Sequence, residues 1–174
     1  NDICGGGGDK FNCWAKRFVE GRGKRFYPYG FAPTYHLKRL PEPCHVQSPS
    51  RIGVSFMGDL FGDWRFALDC PSLSSYERTR TTMTKVRRSI LSIVQHCKQH
   101  TFIFLTKCPW NLSKLNPWPD NAWVGCSVTG LEPQPLLDFA LVDARKRFVS
   151  YEPLLKSVGA SLHLLRNPGI DWII

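Results

Sequence analysis

The stretch that decides the fold is residues 101–128, TFIFLTKCPWNLSKLNPWPDNAWVGCSV. It opens on a β-branched and aromatic run, 101–107, that stops at Cys108 and Pro109, and it closes on a second apolar run, 122–128. Both runs are apolar almost continuously rather than at every second position. That is the pattern of strands covered on both faces, as parallel strands are.

Working outward, RIGVSFMGDLF at 51–61 predicts an earlier strand over 52–56, turned out of the sheet by Met57, Gly58 and Asp59. A helical stretch over 76–98 follows, with Met83, Val86, Ile90, Ile93, Val94 and Cys97 at three- and four-residue steps. Arg80, Arg87, Arg88 and Gln95 fall largely outside that stripe. Beyond 128 come a helical segment over 134–144, an apolar run at 147–155 and a last one at 170–174. Strands alternating with helices predict an α/β fold with a parallel sheet and right-handed crossovers. Partly closed barrels and doubly wound sheets both satisfy the pattern. Residues 21–50 differ: Pro28, Pro33, Pro41, Pro43 and Pro49 forbid long regular structure, and a surface loop packed by Phe26, Tyr27, Tyr29, Phe31 and Tyr35 is expected.

The 174 residues are enough for one core, so residues 1–174 are read as a single domain. Its ends read as cut, since NDICGGGG is a bare loop sequence and DWII an apolar strand with nothing after it. With 43% hydrophobic, 13% aromatic and 21% charged residues, disorder, collagen and coiled coil are excluded. No apolar run approaches the roughly 20 residues that span a bilayer, and no signal peptide opens the chain, so a cytoplasmic protein is expected. Lys plus Arg number 23 against 14 for Asp plus Glu, a net charge of +9 that favours polyanionic or phosphorylated partners, nucleic acid among them. The basic residues are spread along the chain and form no single stripe.

Side chains that do chemistry in parallel α/β folds collect at the carboxyl ends of the strands. Here those positions hold Ser55 and Asp59, Thr106 and Lys107, Ser127 and Thr129, and Ser150 and Glu152. Four successive runs ending in hydroxyl, amine or carboxylate groups predict a shared polar pocket, the plain alternative being ordinary strand-end caps. Glu152, before Pro153, is the general-base candidate, with a salt bridge to an arginine as its structural reading.

Seven cysteines in a chain of this size point away from a disulfide framework. Cys4 and Cys13 flank a glycine run and precede a helix expected from Trp14 to about Gly21. Thiolates near a helix N-terminus suit metal or iron-sulfur ligation. Cys97 on the helix stripe and Cys126 inside a strand read as buried apolar groups. Cys44 with His45, and Cys70, lie in irregular regions at spacings that match no zinc pattern. His36, His96, His100 and His163 read as surface or capping residues.

Taken in order, several segments resemble the phage gene-product 37/gene-product 68 family of radical-SAM-like proteins over most of the chain. Cys13, Trp14, Ala15, Lys16 and Arg17 look like that family's Cys-Tyr-Ala-Glu-Arg segment, and 30–43 like its proline- and aromatic-rich stretch. Met57, Gly58, Asp59, Leu60 and Phe61 are similar to its Met-Ser-Asp-Leu-Phe motif, with glycine in place of serine. His100, Thr101, Phe102, Leu105, Thr106, Lys107 and Pro109 match its next pattern. The segments 123–128, 147–155 and 171–173 complete the order.

The resemblance implies a partial (β/α) barrel of the radical-SAM type, holding a [4Fe-4S] cluster with one iron open to S-adenosylmethionine. The implied chemistry is reductive cleavage of that cofactor to a radical that takes a hydrogen from an unknown substrate. Cys4 and Cys13 would be cluster ligands, Asp59, Thr106 and Ser127 would bind the cofactor, and Lys107 and Glu152 would be catalytic. The family's Cys-x-x-Cys step would put a ligand at Lys10, which cannot serve. The third cysteine therefore comes from upstream of Asn1 or from another segment, or the cluster is absent. In that last case the chain is a nucleic-acid or protein-binding module on a degenerate barrel, or a structural phage-associated protein.

Overall fold

In the computed structural model, which describes residues 14–27, 29–31, 34–62, 67–68, 83–157, 159, 163, 165 and 169–174, the expected helices and strands from residue 83 onward follow in the expected order, with two short strands, at 34–35 and 67–68, that the sequence reading did not place. They are helix α1 (Trp14–Glu20), strands β1 (Thr34–Tyr35), β2 (Arg51–Val54) and β3 (Ala67–Leu68), helix α2 (Met83–His96), strands β4 (Thr101–Thr106) and β5 (Ala122–Val128), helix α3 (Gln134–Ala140), and strands β6 (Lys146–Tyr151) and β7 (Trp172–Ile173). They fall into two compact units, one within Asn1–Lys38 and Trp64–Thr81, the other spanning Arg39–Asp63 and Thr82–Ile174.

In the first unit β1 pairs in parallel with β3. The expected loop over 21–50, which runs from the first unit into the second, is thus more ordered than its prolines suggest: in addition to β1 it holds 3-10 turns at Lys24–Phe26, Leu37–Arg39 and Glu42–His45. Such short turns tolerate prolines at their start that longer helices do not hold in their interior, and Pro41 and Pro43 sit at the start of the last one. Tyr27 packs edge-on against Phe18 of α1, but Phe26 and Tyr29 are exposed, contrary to the expected aromatic cluster.

The second unit carries a five-stranded sheet, parallel throughout, in the order β2-β4-β5-β6-β7. Bulk is matched across the pairing: Phe102 lies opposite Ala122, Phe104 opposite Val124 and Thr106 opposite Cys126. Side chains alternate between faces along a strand, so these residues and their register partners share one face. That face forms the core together with Val94 of α2, Leu136 and Phe139 of α3, and Leu165. The connections pack on one side and strand order never reverses among the described residues. Among the described residues the sheet is thus singly wound.

The opposite face holds Gly53, Ile103, Leu105, Trp123, Gly125, Ser127, Phe148 and Ser150 by register. The far end of the Phe148 ring lies over Gly125, where a Cβ would come within 2.3 Å of Cζ.

Element ends differ from the sequence reading for local reasons. β2 stops at Val54 because Ser55 takes a φ of 60° and the Gly58 N–H turns back to the Ser55 carbonyl at 3.0 Å. β6 stops at Tyr151, ahead of Pro153, which has no N–H to give a ladder. α2 is described from Met83, the expected 76–82 lying outside the described residues. α3 ends at Ala140 because the chain turns into the core at Val142 while Asn116 takes the Leu141 carbonyl at 2.9 Å. No helix among the described residues is long and apolar enough to cross a membrane.

Candidate functional site

Asp59 and Thr106, expected at one pocket, do meet, and their contact is a clamp. Thr106 ends β4, and its hydroxyl donates to Asp59 Oδ1 at 2.6 Å while accepting the Cys108 N–H at 2.8 Å. The second carboxylate oxygen takes the Lys107 N–H at 2.8 Å, and Oδ1 also takes the Phe61 N–H at 2.9 Å. The loop leaving β2 is thereby tied to the carboxyl end of β4.

The residues after Asp59 are held just as closely. Phe61 is buried against Phe104 and Trp118, with ring centroids 6.1 and 5.8 Å away. Its carbonyl accepts Asn111 Nδ2 at 2.7 Å, and Asn111 Oδ1 in turn accepts Lys114 Nζ at 2.5 Å. Arg87 of α2 donates to the Leu60 and Gly62 carbonyls at 3.0 and 2.8 Å and is buried. The sequence reading put Arg87 outside the apolar stripe. The structure corrects this, because the guanidinium turns inward to serve carbonyls that a non-helical loop leaves unpaired. Asn121 does the same for α2, its Nδ2 reaching the Val94, Cys97 and His100 carbonyls at 2.9, 3.2 and 3.1 Å. Asn111 and Asn121 carried no motif in the sequence; their position just before or after a predicted strand or turn was the available signal.

Ser127 and Ser150 are register partners on β5 and β6, on the face opposite Thr106. They are only 7% and 6% exposed, and neither hydroxyl has a hydrogen bond among the described residues. The single pocket expected from four strand ends is therefore divided by the sheet: Asp59 and Thr106 on the helix-covered side, the two serines on the other. Lys107 follows β4 half-buried, and its ammonium forms no ion pair among the described residues. Glu152 is exposed rather than enclosed; its N–H bonds the Val128 carbonyl at 3.0 Å and its carboxylate forms no ion pair among the described residues. Ser55 is exposed, and Thr129 is half-buried, with its oxygen accepting the Leu131 N–H at 3.4 Å.

Cys4 and Cys13, with Cys70, lie outside the described residues. Cys97 and Cys126 are buried as expected, and burial pushes their thiols up to about 11 and about 12. Among the described residues no group of three or more His, Cys, Asp or Glu is gathered for a metal. His100, expected at the surface or as a cap, is buried and caps backbone: Nδ1 accepts the Ser50 N–H at 3.2 Å, which leaves Nε2 to donate to the Pro43 carbonyl at 3.0 Å. His36 is half-buried, and His96 and His163 are exposed.

Compared with known proteins, residues 8–174 match the family model DUF5131, a protein of unknown function. No curated protein and no solved structure matches the chain.

Proposed function

This chain belongs to the DUF5131 family, and from that premise we propose that it is an iron-sulfur enzyme of the radical-SAM type, its singly wound sheet an arc of a (β/α) barrel. The observation that supports this reading is the Ser127–Ser150 pair. The two residues are neighbours, largely buried, and their hydroxyls have no hydrogen-bond partner among the described residues, so both are available to a polar ligand. They stand at the carboxyl edge, where parallel sheets bind ligands, and Lys107 stands at the same edge, its ammonium in no ion pair among the described residues.

These groups fit S-adenosylmethionine, whose ribose hydroxyls and carboxylate need donors and a cation. The cluster, when bound, supplies the electron for cleavage of that cofactor. Cys4 and Cys13 are the thiolates proposed to hold it, as the family resemblance implies. Within this reading Ser127 and Ser150 orient the cofactor, Lys107 neutralises its carboxylate and Glu152 works at the rim. Asp59 and Thr106 move from cofactor binding to support, because their polar atoms already hold the loop after β2. The net charge of +9 suits a nucleotide or nucleic-acid substrate.

The test is iron and sulfide content with the EPR spectrum after anaerobic reconstitution, followed by S-adenosylmethionine titration of wild type and Ser127→Ala/Ser150→Ala. About four irons, a signal changed by the cofactor, and roughly tenfold weaker binding in the double variant are expected. Absence of iron would replace this reading with a cluster-less module, for which salt-dependent binding of DNA or RNA is the measurement.

A further inference from the structure

Cys44 belongs to the 3-10 turn Glu42–His45, and Cys97 follows the last residue of α2. Their sulfurs lie 2.9 Å apart, inside van der Waals contact and within about 1 Å of the roughly 2.05 Å covalent bond. We infer that Cys44 and Cys97 form a dithiol which a peroxide closes to a disulfide, stapling the segment that enters β2 to the end of α2.

Both backbones are already anchored in the required places. The Cys44 N–H bonds the Pro41 carbonyl and the Cys97 N–H bonds the Ile93 carbonyl, each at 2.9 Å. His100 holds both ends of the intervening stretch, through the Pro43 carbonyl and the Ser50 N–H. Closing the bond therefore needs side-chain rotation and no refolding. A shared zinc ion is the poorer account, since two thiolates on a tetrahedral zinc at about 2.3 Å lie roughly 3.8 Å apart. No further His, Asp or Glu completes a ligand set among the described residues.

The unequal burial orders the steps. Cys97 is 1% exposed and Cys44 is half-buried, so the oxidant reaches Cys44. Burial together with the adjacent Cys44 raises the Cys97 thiol to about 11, which keeps its proton in place while Cys44 reacts. The Cys44 thiolate attacks one oxygen of hydrogen peroxide, forming a sulfenic acid and releasing hydroxide. Cys97 sulfur then attacks the sulfenic sulfur, forming the S–S bond and expelling the hydroxyl, which leaves as water with the Cys97 proton. Each sulfur gives up one electron, and the peroxide oxygens take up both. A thiol reductant reverses the change, as a regulatory disulfide in a reducing compartment requires.

The experiment treats the reduced full chain with stoichiometric hydrogen peroxide, blocks free thiols and maps peptides without reduction. A linked pair carrying Cys44 and Cys97, lost on adding dithiothreitol, is expected. Oxidation should also raise the melting midpoint by several degrees in wild type and leave Cys44→Ser unchanged. Cys44 recovered as sulfinic acid, or paired with a different cysteine while Cys97 is alkylated, would overturn the inference. The wild-type map decides the matter even if the variant does not fold.

Discussion

The hydroxyl of Thr106 donates to the carboxylate of Asp59 at 2.6 Å, joining the chain that leaves β2 to the last residue of β4. Two polar strand-end residues, 47 positions apart in sequence, are thus each other's partners. The same carboxylate takes two backbone N–H groups, so the loop from Asp59 to Gly62 begins on a fixed point and ends on Arg87.

Replacing Asp59 with alanine strands those donors, and at about 1–3 kcal/mol for an unsatisfied buried group, the loss of stability is expected near 3 kcal/mol. Thr106→Val should cost about 1–2 kcal/mol. In urea denaturation the double variant should fall short of the sum by roughly 1 kcal/mol or more. Strict additivity would mean that the short contact carries no energy of its own.

Gly125 and Gly53 both lie beneath aromatic rings, of Phe148 and Phe56, yet the rings differ in freedom. Phe148 is 6% exposed and Phe56 is 56% exposed. An added Cβ at position 53 pushes a ring that can swing into solvent, whereas at 125 the ring has nowhere to go. Gly125→Ala is expected to cost about 1–3 kcal/mol and Gly53→Ala less than about 0.5 kcal/mol, the entropy gain in the unfolded chain offsetting the contact. Equal midpoints in thermal melts of the two variants would refute this assignment.

Asp171 sets the acid limb. Its carboxylate accepts Lys146 Nζ at 2.7 Å and the Arg147 N–H at 2.8 Å, and these bonds hold its pKa below the ordinary 3.8. A folded-state pKa below the unfolded one means that stability is present above the unfolded value and is lost as pH falls through the folded one. Loosening of β7 from β6 should therefore set in as pH drops below about 4. Lys146 is nearly half exposed, so the ion pair itself contributes little. Asp171→Asn should flatten the stability profile below pH 4 and leave the profile above pH 5 parallel to wild type, read by denaturant midpoints across the range.

Much of the sheet was legible in the order of residues. Runs such as 101–107 and 122–128 are apolar on both faces, and burial on both faces is a property of parallel strands that each run carries within itself. Cys126 in β5 was legible as core for the same reason, and Cys97, just past the end of α2, from its place on the helical apolar stripe. The candidate site was legible only as a set of strand ends. Ser127 and Ser150 emerged as neighbours through β5–β6 register, while Glu152, picked for its place after a strand, lies exposed beyond the last paired residue.

Sequence alone settled what depends on neighbours a few positions away: the α/β class, the parallel strands, the helix of residues 83–96 and the turn at Gly58. Tertiary structure decided what depends on which strand lies beside which. It chose Thr106 as the partner of Asp59, turned Arg87 inward, brought Cys44 to Cys97, and separated Thr106 from Ser127 by the thickness of the sheet. Periodicity is written in local spacing, whereas a partner for a buried polar group is found only when long-range pairing fixes register and face, and the sequence states neither directly.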